Sequence, residues 1–176
     1  MKKTSFVVFL VFLSIILVGC QQEKIGTHAD VTEVDLIYRL VTEKAAYSDT
    51  EPIQQYAELE YIGDKEKITI WHADSPFYFP MTETTRNYEI DSFKPLPLIS
   101  TEMIKGEPLR EEYKGRGGYS SEDKKEYIEF MEQIMDHKFP EGHYIVEGFA
   151  DFWVQENGDK KDYWITAKIE FSVGQK

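Results

Sequence analysis

Regular alternation of apolar and polar residues runs through the chain from Val31 onward and is typical of β-strands. Over residues 31–41 the alternation predicts one extended segment with a mostly apolar second face. Residues 53–62 and 67–72 alternate in the same way, and residues 63–66 between them combine a glycine with charged residues. The pattern therefore predicts two strands joined as a β-hairpin.

The middle and the end of the chain carry different strand signals. Four prolines between positions 76 and 97 exclude a central strand there, so this part of the chain is expected to form short edge strands at residues 87–93, 98–104 and 109–114. Two longer alternating runs, residues 142–155 and 163–173, close the chain. Asn157-Gly158 between them is a strong signal for a tight hairpin turn.

One segment has helical rather than strand spacing. After a glycine-rich connection at residues 114–119, Ser120 or Ser121 is placed to cap a helix over residues 121–138 or so. Phe139-Pro140 is expected to end it. The apolar face of this helix is predicted to consist of Tyr127, Phe130, Met131, Ile134 and Met135.

About seven strands and one helix predict a mainly β protein, an antiparallel β-sandwich whose helix is inserted in a crossover between early and late strands. Residues 139–146 read Phe-Pro-Glu-Gly-His-Tyr-Ile-Val. A proline-x-glycine turn followed by x-Tyr-x-Val resembles the entry to the penultimate strand of immunoglobulin-like domains, including bacterial intracellular proteinase inhibitor domains. The resemblance implies an immunoglobulin-like sandwich, and no inhibitory residue is carried over from it.

The N-terminus has the order of parts found in an export signal. Lys2 and Lys3 precede an apolar run at residues 6–18, which ends at Gly19 and Cys20, the one cysteine of the chain. The string Leu-Val-Gly-Cys resembles the lipobox of bacterial lipoproteins. That resemblance implies cleavage between Gly19 and Cys20 and a covalent diacylglycerol/acyl lipid on Cys20, with the diacylglyceryl group on the Cys20 sulfur.

The alternatives to a lipobox are an ordinary cleavable signal and a short anchor helix. The apolar run is shorter than the roughly 20 residues that span a bilayer, which disfavours the anchor helix. The preferred organisation is a signal peptide at residues 1–19, a lipidated tether at 20–29 and one β-sandwich domain at 30–176. With Cys20 bound to lipid, no disulfide can form within the mature chain.

Charge limits the choice of partners. The chain has 20 Lys and Arg against 32 Asp and Glu, and cleavage removes Lys2 and Lys3, which leaves 18 basic residues and a net charge of −14. Anionic lipid headgroups and nucleic acids would repel such a body, so the membrane is expected to hold it through lipid alone. An envelope protein, a cationic group or another small ligand remains as a partner, and no cofactor besides the lipid is expected.

Candidate catalytic and metal-binding residues are sparse. His72, Asp74 and Ser75 are close in sequence, but an extended strand points Ser75 away from the other two, so a strand end followed by a turn is the preferred interpretation and no catalytic residue is assigned. A metal site could use His72, Asp74, His137 and His143, whose spacing fits no known ligand pattern. Residues 155–162 lack the ligand positions of a calcium loop and suit a hairpin tip.

Trp71, Phe77, Tyr78 and Phe79 form the candidate binding surface, since three aromatic residues lie between two prolines. The segment 77–79 is either a contact for a partner or a plug that closes one end of the sandwich core. Aromatic residues are mainly burial residues, which favours the plug. If the segment is exposed, residues 71–81 together with the glycine-rich connection are the preferred binding surface.

These features predict a non-enzymatic lipoprotein on the extracytoplasmic face of the cell membrane, which displays a β-sandwich for binding a protein or a small ligand. One alternative is an envelope enzyme, or a regulator of one, that acts on peptidoglycan or protein. Another is an accessory lipoprotein that binds a solute.

Overall fold

The structure is a computed structural model that describes residues 25–91, 97–156 and 158–174. The predicted signal peptide, the cleavage site at Gly19 and Cys20, and Asn157 lie outside these residues. The elements in chain order are β1 (His28–Glu33), β2 (Leu36–Thr42), β3 (Ala46–Tyr47), β4 (Gln55–Tyr61), β5 (Lys67–His72), β6 (Phe77–Tyr78), β7 (Met81–Glu83), β8 (Tyr88–Ile90), β9 (Ile99–Ile104), β10 (Leu109–Glu112), α1 (Lys125–Met135), β11 (Gly142–Val146), β12 (Phe149–Glu156), β13 (Asp159–Thr166) and β14 (Ile169–Val173).

The described strands form three sheets, which confirms a mainly β, sandwich-like fold with one short helix. Sheet 1 has the order β1-β2-β4-β10, sheet 2 the order β3-β14-β11-β7-β8, and sheet 3 the order β13-β12-β5-β9, with β6 also pairing with β12. Strand neighbours are antiparallel, except that β3 and β14 are parallel. The predicted short strands correspond to β8, β9 and β10, which each lie at a sheet edge as expected; residues 92–93 of the strand predicted at 87–93 lie outside the described residues. The helix α1 follows β10 of sheet 1 and precedes β11 of sheet 2.

The predicted single strand over residues 31–41 is wrong, because the chain turns back at residues 34–35. The strands β1 and β2 form a hairpin in which Glu33 is opposite Leu36. Val34 takes a φ of 53° in this turn, a left-handed conformation that β-branched residues rarely adopt. The turn has no glycine or asparagine, and the alternation continues across it, so the sequence pattern did not reveal it.

The predicted hairpin between residues 53–62 and 67–72 is also wrong, although both strands exist. The strand β4 pairs in sheet 1 and β5 in sheet 3, so the chain crosses between sheets at residues 62–66. Gly63 packs against the ring of Tyr61, where a Cβ would collide with the hydroxyl. The Tyr61 hydroxyl accepts a hydrogen bond from the backbone N–H of Lys65 at 3.2 Å. The tyrosine side chain thus holds the connection that was expected to be a tight turn.

Each of the two long predicted strands near the C-terminus is divided in two by a bend. The pair β11 and β14 belongs to sheet 2, and the continuing pair β12 and β13 belongs to sheet 3. At the bend the backbone N–H of Ala167 donates to the carbonyl of Gly148 at 2.9 Å. A Cβ at Gly148 would lie 2.8 Å from a Leu40 methyl group and 2.9 Å from the Tyr38 hydroxyl. Glycine therefore lets the ribbon pass close to β2 as it changes sheets.

Prolines did not exclude a central strand entirely. The short strand β7 lies between β11 and β8 in sheet 2, directly after Pro80. The missing N–H of Pro80 is not needed there, while its carbonyl accepts the N–H of Glu147 at 3.0 Å. These bends and short strands explain why the described residues contain fourteen strands where about seven were expected.

The helix is shorter than predicted and begins at Lys125, without a side-chain cap. Ser120 instead accepts the N–H of Glu122, and Asp123 accepts the N–H of Ser120, so the expected capping groups hold a separate turn. The helix ends in a Schellman motif, with His137 at a φ of 59° and Lys138 N–H bonded to the Gln133 carbonyl at 2.8 Å. Phe130, Met131 and Ile134 are buried as predicted, whereas Tyr127 is half-buried and Met135, which was also expected on the apolar face, is 39% exposed.

Aromatic side chains of sheet 2 pack with Phe139, which follows α1. Phe139 packs edge-on against Tyr144 and Phe171, which stack on each other at 5.1 Å. The hydroxyl of Tyr144 donates to the Pro140 carbonyl at 2.7 Å. This bond ties the start of β11 to the turn before it, as in the tyrosine corner of β-sandwiches.

Candidate functional site

Five aromatic side chains gather on the outer surface of sheet 3. In β12, Phe149 and Trp153 point outward between buried neighbours. Residues that oppose each other in antiparallel strands share one face, and the register places Trp71 opposite Trp153. It likewise places Tyr78 opposite Phe149, and Trp164 of β13 stacks on Phe149. We name these five side chains the aromatic face.

The rings of the aromatic face form two stacks with nearly parallel planes. Trp71 and Trp153 have centroids 5.3 Å apart. The second stack crosses three strands, with 4.6 Å between Tyr78 and Phe149 and 4.0 Å between Phe149 and Trp164. Trp164 ends this stack at the sheet edge and keeps 58% of its surface exposed. The outer surface of sheet 3 therefore presents large apolar rings to solvent.

Charged groups lie between the two stacks. Asp151 is opposite Trp164 and Asp162 is opposite Trp153. Lys160 forms an ion pair with Asp162 at 2.5 Å, and its ammonium lies 5.6 Å from the Trp153 ring centroid. Burial raises the pKa of the Asp151 carboxyl, and the neighbouring Asp162 carboxylate raises it further. Both effects oppose a negative charge on Asp151, and a nearby cation would favour that charge.

Two cavities lie on either side of Trp71. A cleft of about 560 Å³ has walls that include Tyr61, Ile68 and Tyr163, and it opens where the ladder between β5 and β12 stops after two residue pairs. A shallower depression of about 250 Å³ lies on the outer surface of sheet 3. The depression is lined by Trp71, Trp153, Asp151, Asp162, Lys160 and Leu98, among others. Trp71 therefore borders both cavities.

The structure divides the predicted binding surface in two. Trp71 and Tyr78 belong to the aromatic face, but Phe77 is 0% exposed and Phe79 is 9% exposed. Side chains alternate along β6, so Phe77 points inward and stacks on Tyr38 at 6.3 Å. Phe77 and Phe79 are core residues, as in the plug interpretation, and the candidate surface must be corrected by removing them.

Sequence reasoning missed Phe149, Trp153 and Trp164. In β12 and β13 these residues occupy the positions that alternate with buried ones, where polar residues are expected on a solvated sheet face. Aromatic residues at the outward positions of two neighbouring strands were the available signal. Their convergence with Trp71 and Tyr78 depends on strand pairing, which the sequence alone did not provide.

The cluster of His72, Asp74 and Ser75 is engaged in structural contacts. The buried His72 donates from Nδ1 to the Ala73 carbonyl at 2.7 Å, and its Nε2 contacts the Thr101 hydroxyl at 2.8 Å. Asp74 forms an ion pair with Arg116 at 3.0 Å. The Ser75 hydroxyl accepts the N–H of Phe77 at 3.0 Å.

His72 and Asp74 lie two residues apart at the end of β5, whereas His137 and His143, the other two residues considered as metal ligands, lie elsewhere in the chain. His143 on β11 contacts Thr84 and approaches Glu170 at 3.4 Å, and His137 ends α1. Among the residues that the structure describes, no group of three or more His, Cys, Asp or Glu side chains is arranged to hold a metal ion.

The glycine-rich connection at residues 114–119 packs against the helix, although a flexible connection was expected. Gly115, at a φ of 61°, lies against the His137 ring, and Gly117 lies against Met131. This packing delivers Arg116 to Asp74 on the segment after β5. The connection and the segment that follows Trp71 are therefore neighbours in space, as the sequence interpretation required.

Within the described ranges, no helix has both the length and the apolar character needed to span a membrane.

No known protein family matches the chain in a comparison with family models, and no curated protein matches it. Among solved structures, a crystal structure of a protein from Archaeoglobus fulgidus is similar at 7% identity and a TM-score of 0.36, with 82% of this chain and 97% of that chain covered. A likeness at this TM-score carries no inference about this chain.

Proposed function

We propose that the protein is a cell-envelope lipoprotein whose β-sandwich domain binds an envelope component through the aromatic face. A lipid on Cys20 holds the domain at the extracytoplasmic surface of the cell membrane. The observation that carries the proposal is the gathering of five aromatic side chains on the outer surface of sheet 3. Exposed aromatic patches rimmed by polar groups are typical of binding surfaces.

Stability of the fold alone accounts poorly for this surface. Cross-strand aromatic pairs do stabilise a sheet, by about 0.2–1 kcal/mol each, so Phe149 between two rings has a structural role. Trp164 stacks on one ring among the described residues and is 58% exposed, so most of its surface is not covered by the part of the chain that the structure describes. Burial of that surface against a partner would supply free energy that the isolated domain does not use.

The lipid anchor is consistent with the charge of the domain. A mature chain at −14 is repelled by anionic headgroups, so a stable attachment needs hydrophobic chains. One acyl chain binds membranes only marginally, whereas two chains hold a protein stably. A diacylglyceryl group on Cys20 meets this need without any basic patch on the domain.

Metabolic labelling with a fatty acid tests the anchor. We expect the wild-type chain to take up label and fractionate with membranes, and Cys20→Ala to take up none. Trp164→Ala, far from the lipidation site in sequence, serves as a control that should label like the wild type. An unlabelled wild-type chain would refute the lipoprotein assignment.

Photocrosslinking in intact envelopes tests the aromatic face. A photoreactive residue at position 164 is expected to capture a partner, whereas the same residue at Thr32, an exposed position of β1 in sheet 1, should not. Phe149→Ala and Trp153→Ala should each reduce capture from position 164. Equal capture from positions 164 and 32 would show that the aromatic face is not the binding surface.

A further inference from the structure

We infer that the 250 Å³ depression on sheet 3, between Asp151 and the Trp71–Trp153 stack, binds the ammonium group of a small organic cation. This inference rests on the proposed function, because it names the ligand chemistry of the same aromatic face. Indole rings and a carboxylate are the groups that recognise organic ammonium ions, through cation–π attraction and ion pairing.

The charges in the depression leave one carboxylate available. Asp162 is paired with Lys160 at 2.5 Å. Asp151 is exposed and, among the described residues, forms no ion pair or side-chain hydrogen bond, although the charge of the nearby Lys160 ammonium lowers the pKa of its carboxyl and partly offsets the effects that raise it. It lines the same depression as Trp71 and Trp153. A cation in the depression would therefore meet an unpaired negative charge and aromatic rings together.

One ammonium group of the protein itself already lies near an indole ring and a carboxylate in this depression. The Lys160 ammonium approaches the Trp153 ring at 5.6 Å while it pairs with Asp162. Trp71 and Asp151 provide a second indole and a second carboxylate in the same depression. The Lys160 ammonium thus occupies the Trp153 and Asp162 side of the depression and would compete with a bound cation for these groups.

The other lining groups restrict the ligand further. Pro97 and Leu98 add an apolar wall, which suits methyl or methylene groups around a nitrogen. Two carboxylates against one lysine, in a chain with a net charge of −12, disfavour anionic ligands. A volume of about 250 Å³ accommodates a compact cation, so the site is assigned to a small organic ammonium ion.

Titration with choline and with 3,3-dimethylbutan-1-ol, its uncharged isostere, tests the assignment. The full chain in a nonionic detergent is used, with tryptophan fluorescence for the Kd and the proton shift of the ligand methyl groups for ring contact. We expect choline to bind at least tenfold more tightly than the alcohol, with its methyl resonance shifted by the rings. Equal binding of the two ligands, or no choline binding, would overturn the inference.

Charge-matched variants separate the local carboxylate from the field of the whole protein. Asp151→Asn should weaken choline binding about tenfold and leave the alcohol unaffected. Asp159→Asn removes the same charge from an exposed position at the tip of the same hairpin and should have little effect. Lys160→Gln should strengthen choline binding several-fold. If Asp151→Asn and Asp159→Asn behave alike, Asp151 is not part of a site.

The two proposals can fail separately. Partner capture from position 164 without choline binding would refute the ammonium site and keep the aromatic face as a binding surface. Choline binding that depends on Asp151, without capture from position 164, would support the site and refute a partner at Trp164.

Discussion

Replacing Gly148 with alanine would place a methyl group in a space that the core already fills. The new Cβ would lie 2.8 and 2.9 Å from the two Leu40 methyl groups and 2.9 Å from the Tyr38 hydroxyl. Leu40 and Tyr38 are both 0% exposed, so neither side chain can move into solvent. The backbone at Gly148 does not have a positive φ, and the effect of the substitution is therefore steric.

The expected cost follows from two opposing contributions. Overpacking of a filled core costs about 1–3 kcal/mol, and contacts below 3 Å on three buried atoms favour the upper end. Replacement of glycine by alanine restricts the unfolded chain, which returns about 0.4–1 kcal/mol. We expect Gly148→Ala to lower the free energy of unfolding by about 2 kcal/mol.

Urea unfolding followed by circular dichroism measures this change. At a slope of about 2 kcal/mol per molar, the midpoint should fall by roughly 1 M with the slope unchanged. Gly118→Ala is the matched control, since Gly118 has nothing within 4 Å of its virtual Cβ, and its midpoint should stay constant or rise. A midpoint for Gly148→Ala within about 0.2 M of the wild type would refute the steric reasoning.

A second substitution identifies which contact matters. The Tyr38 hydroxyl is buried and has no hydrogen-bond partner among the described residues, and burial alone raises the pKa of this phenol well above its usual range. Tyr38→Phe removes that atom, so it should be neutral or stabilising alone and should recover part of the loss caused by Gly148→Ala. Additive effects in this double-mutant cycle would mean that the hydroxyl does not obstruct the new methyl group.

Two further predictions concern single turns. Val34→Asn should stabilise the domain by about 1 kcal/mol, since asparagine tolerates the left-handed conformation that costs valine about 1–2 kcal/mol. Thermal unfolding measures the gain, and Ile62→Asn is the control that shows whether the gain is specific to the turn. Glu83→Gln should destabilise by about 2 kcal/mol at neutral pH, because the buried carboxylate accepts hydrogen bonds from Thr85 and Arg86. Burial raises the pKa of Glu83, but these hydrogen bonds outweigh it and hold the pKa below the ordinary 4.5. The stability that Glu83 contributes is therefore present above pH 4.5 and lost as the pH falls through the lower folded-state pKa. Urea unfolding at several pH values measures this loss. If Glu83→Gln lost stability at acidic pH in the same way as the wild type, the prediction would be contradicted.

Local pattern predicted the strands and the helix better than it predicted their partners. Alternation located β5 correctly at Lys67–His72, and helical spacing located Phe130, Met131 and Ile134 on the buried face of α1. The partner of β5 was wrong because alternation says which face is buried and not which strand is adjacent. Ser120 failed as a cap because its hydroxyl is used one turn earlier.

The sequence predicted only part of the candidate site, because alternation does not show which strands are adjacent. Trp71 and Tyr78 were visible as aromatic residues near prolines, and the strand register then joined them to Phe149, Trp153 and Trp164 from a distant part of the chain. In β6 the two neighbouring side chains point to opposite faces of the sheet, so one is in the core and the other on the surface. The prolines on either side of this short strand made the alternation hard to recognise in the sequence. The sequence therefore left Phe77 open between the candidate surface and the core, and its burial supports the favoured core plug.

The edge of sheet 3 has a consequence for contacts between copies of the domain. The strand β13 ends the sheet, and an open edge next to exposed aromatic rings is a template for strand pairing between copies. Four consecutive charged residues, Asp159 to Asp162, occupy the first half of this strand. These charges penalise edge-to-edge association of two copies. The domain can therefore expose its aromatic face at high protein concentration with little strand pairing between copies.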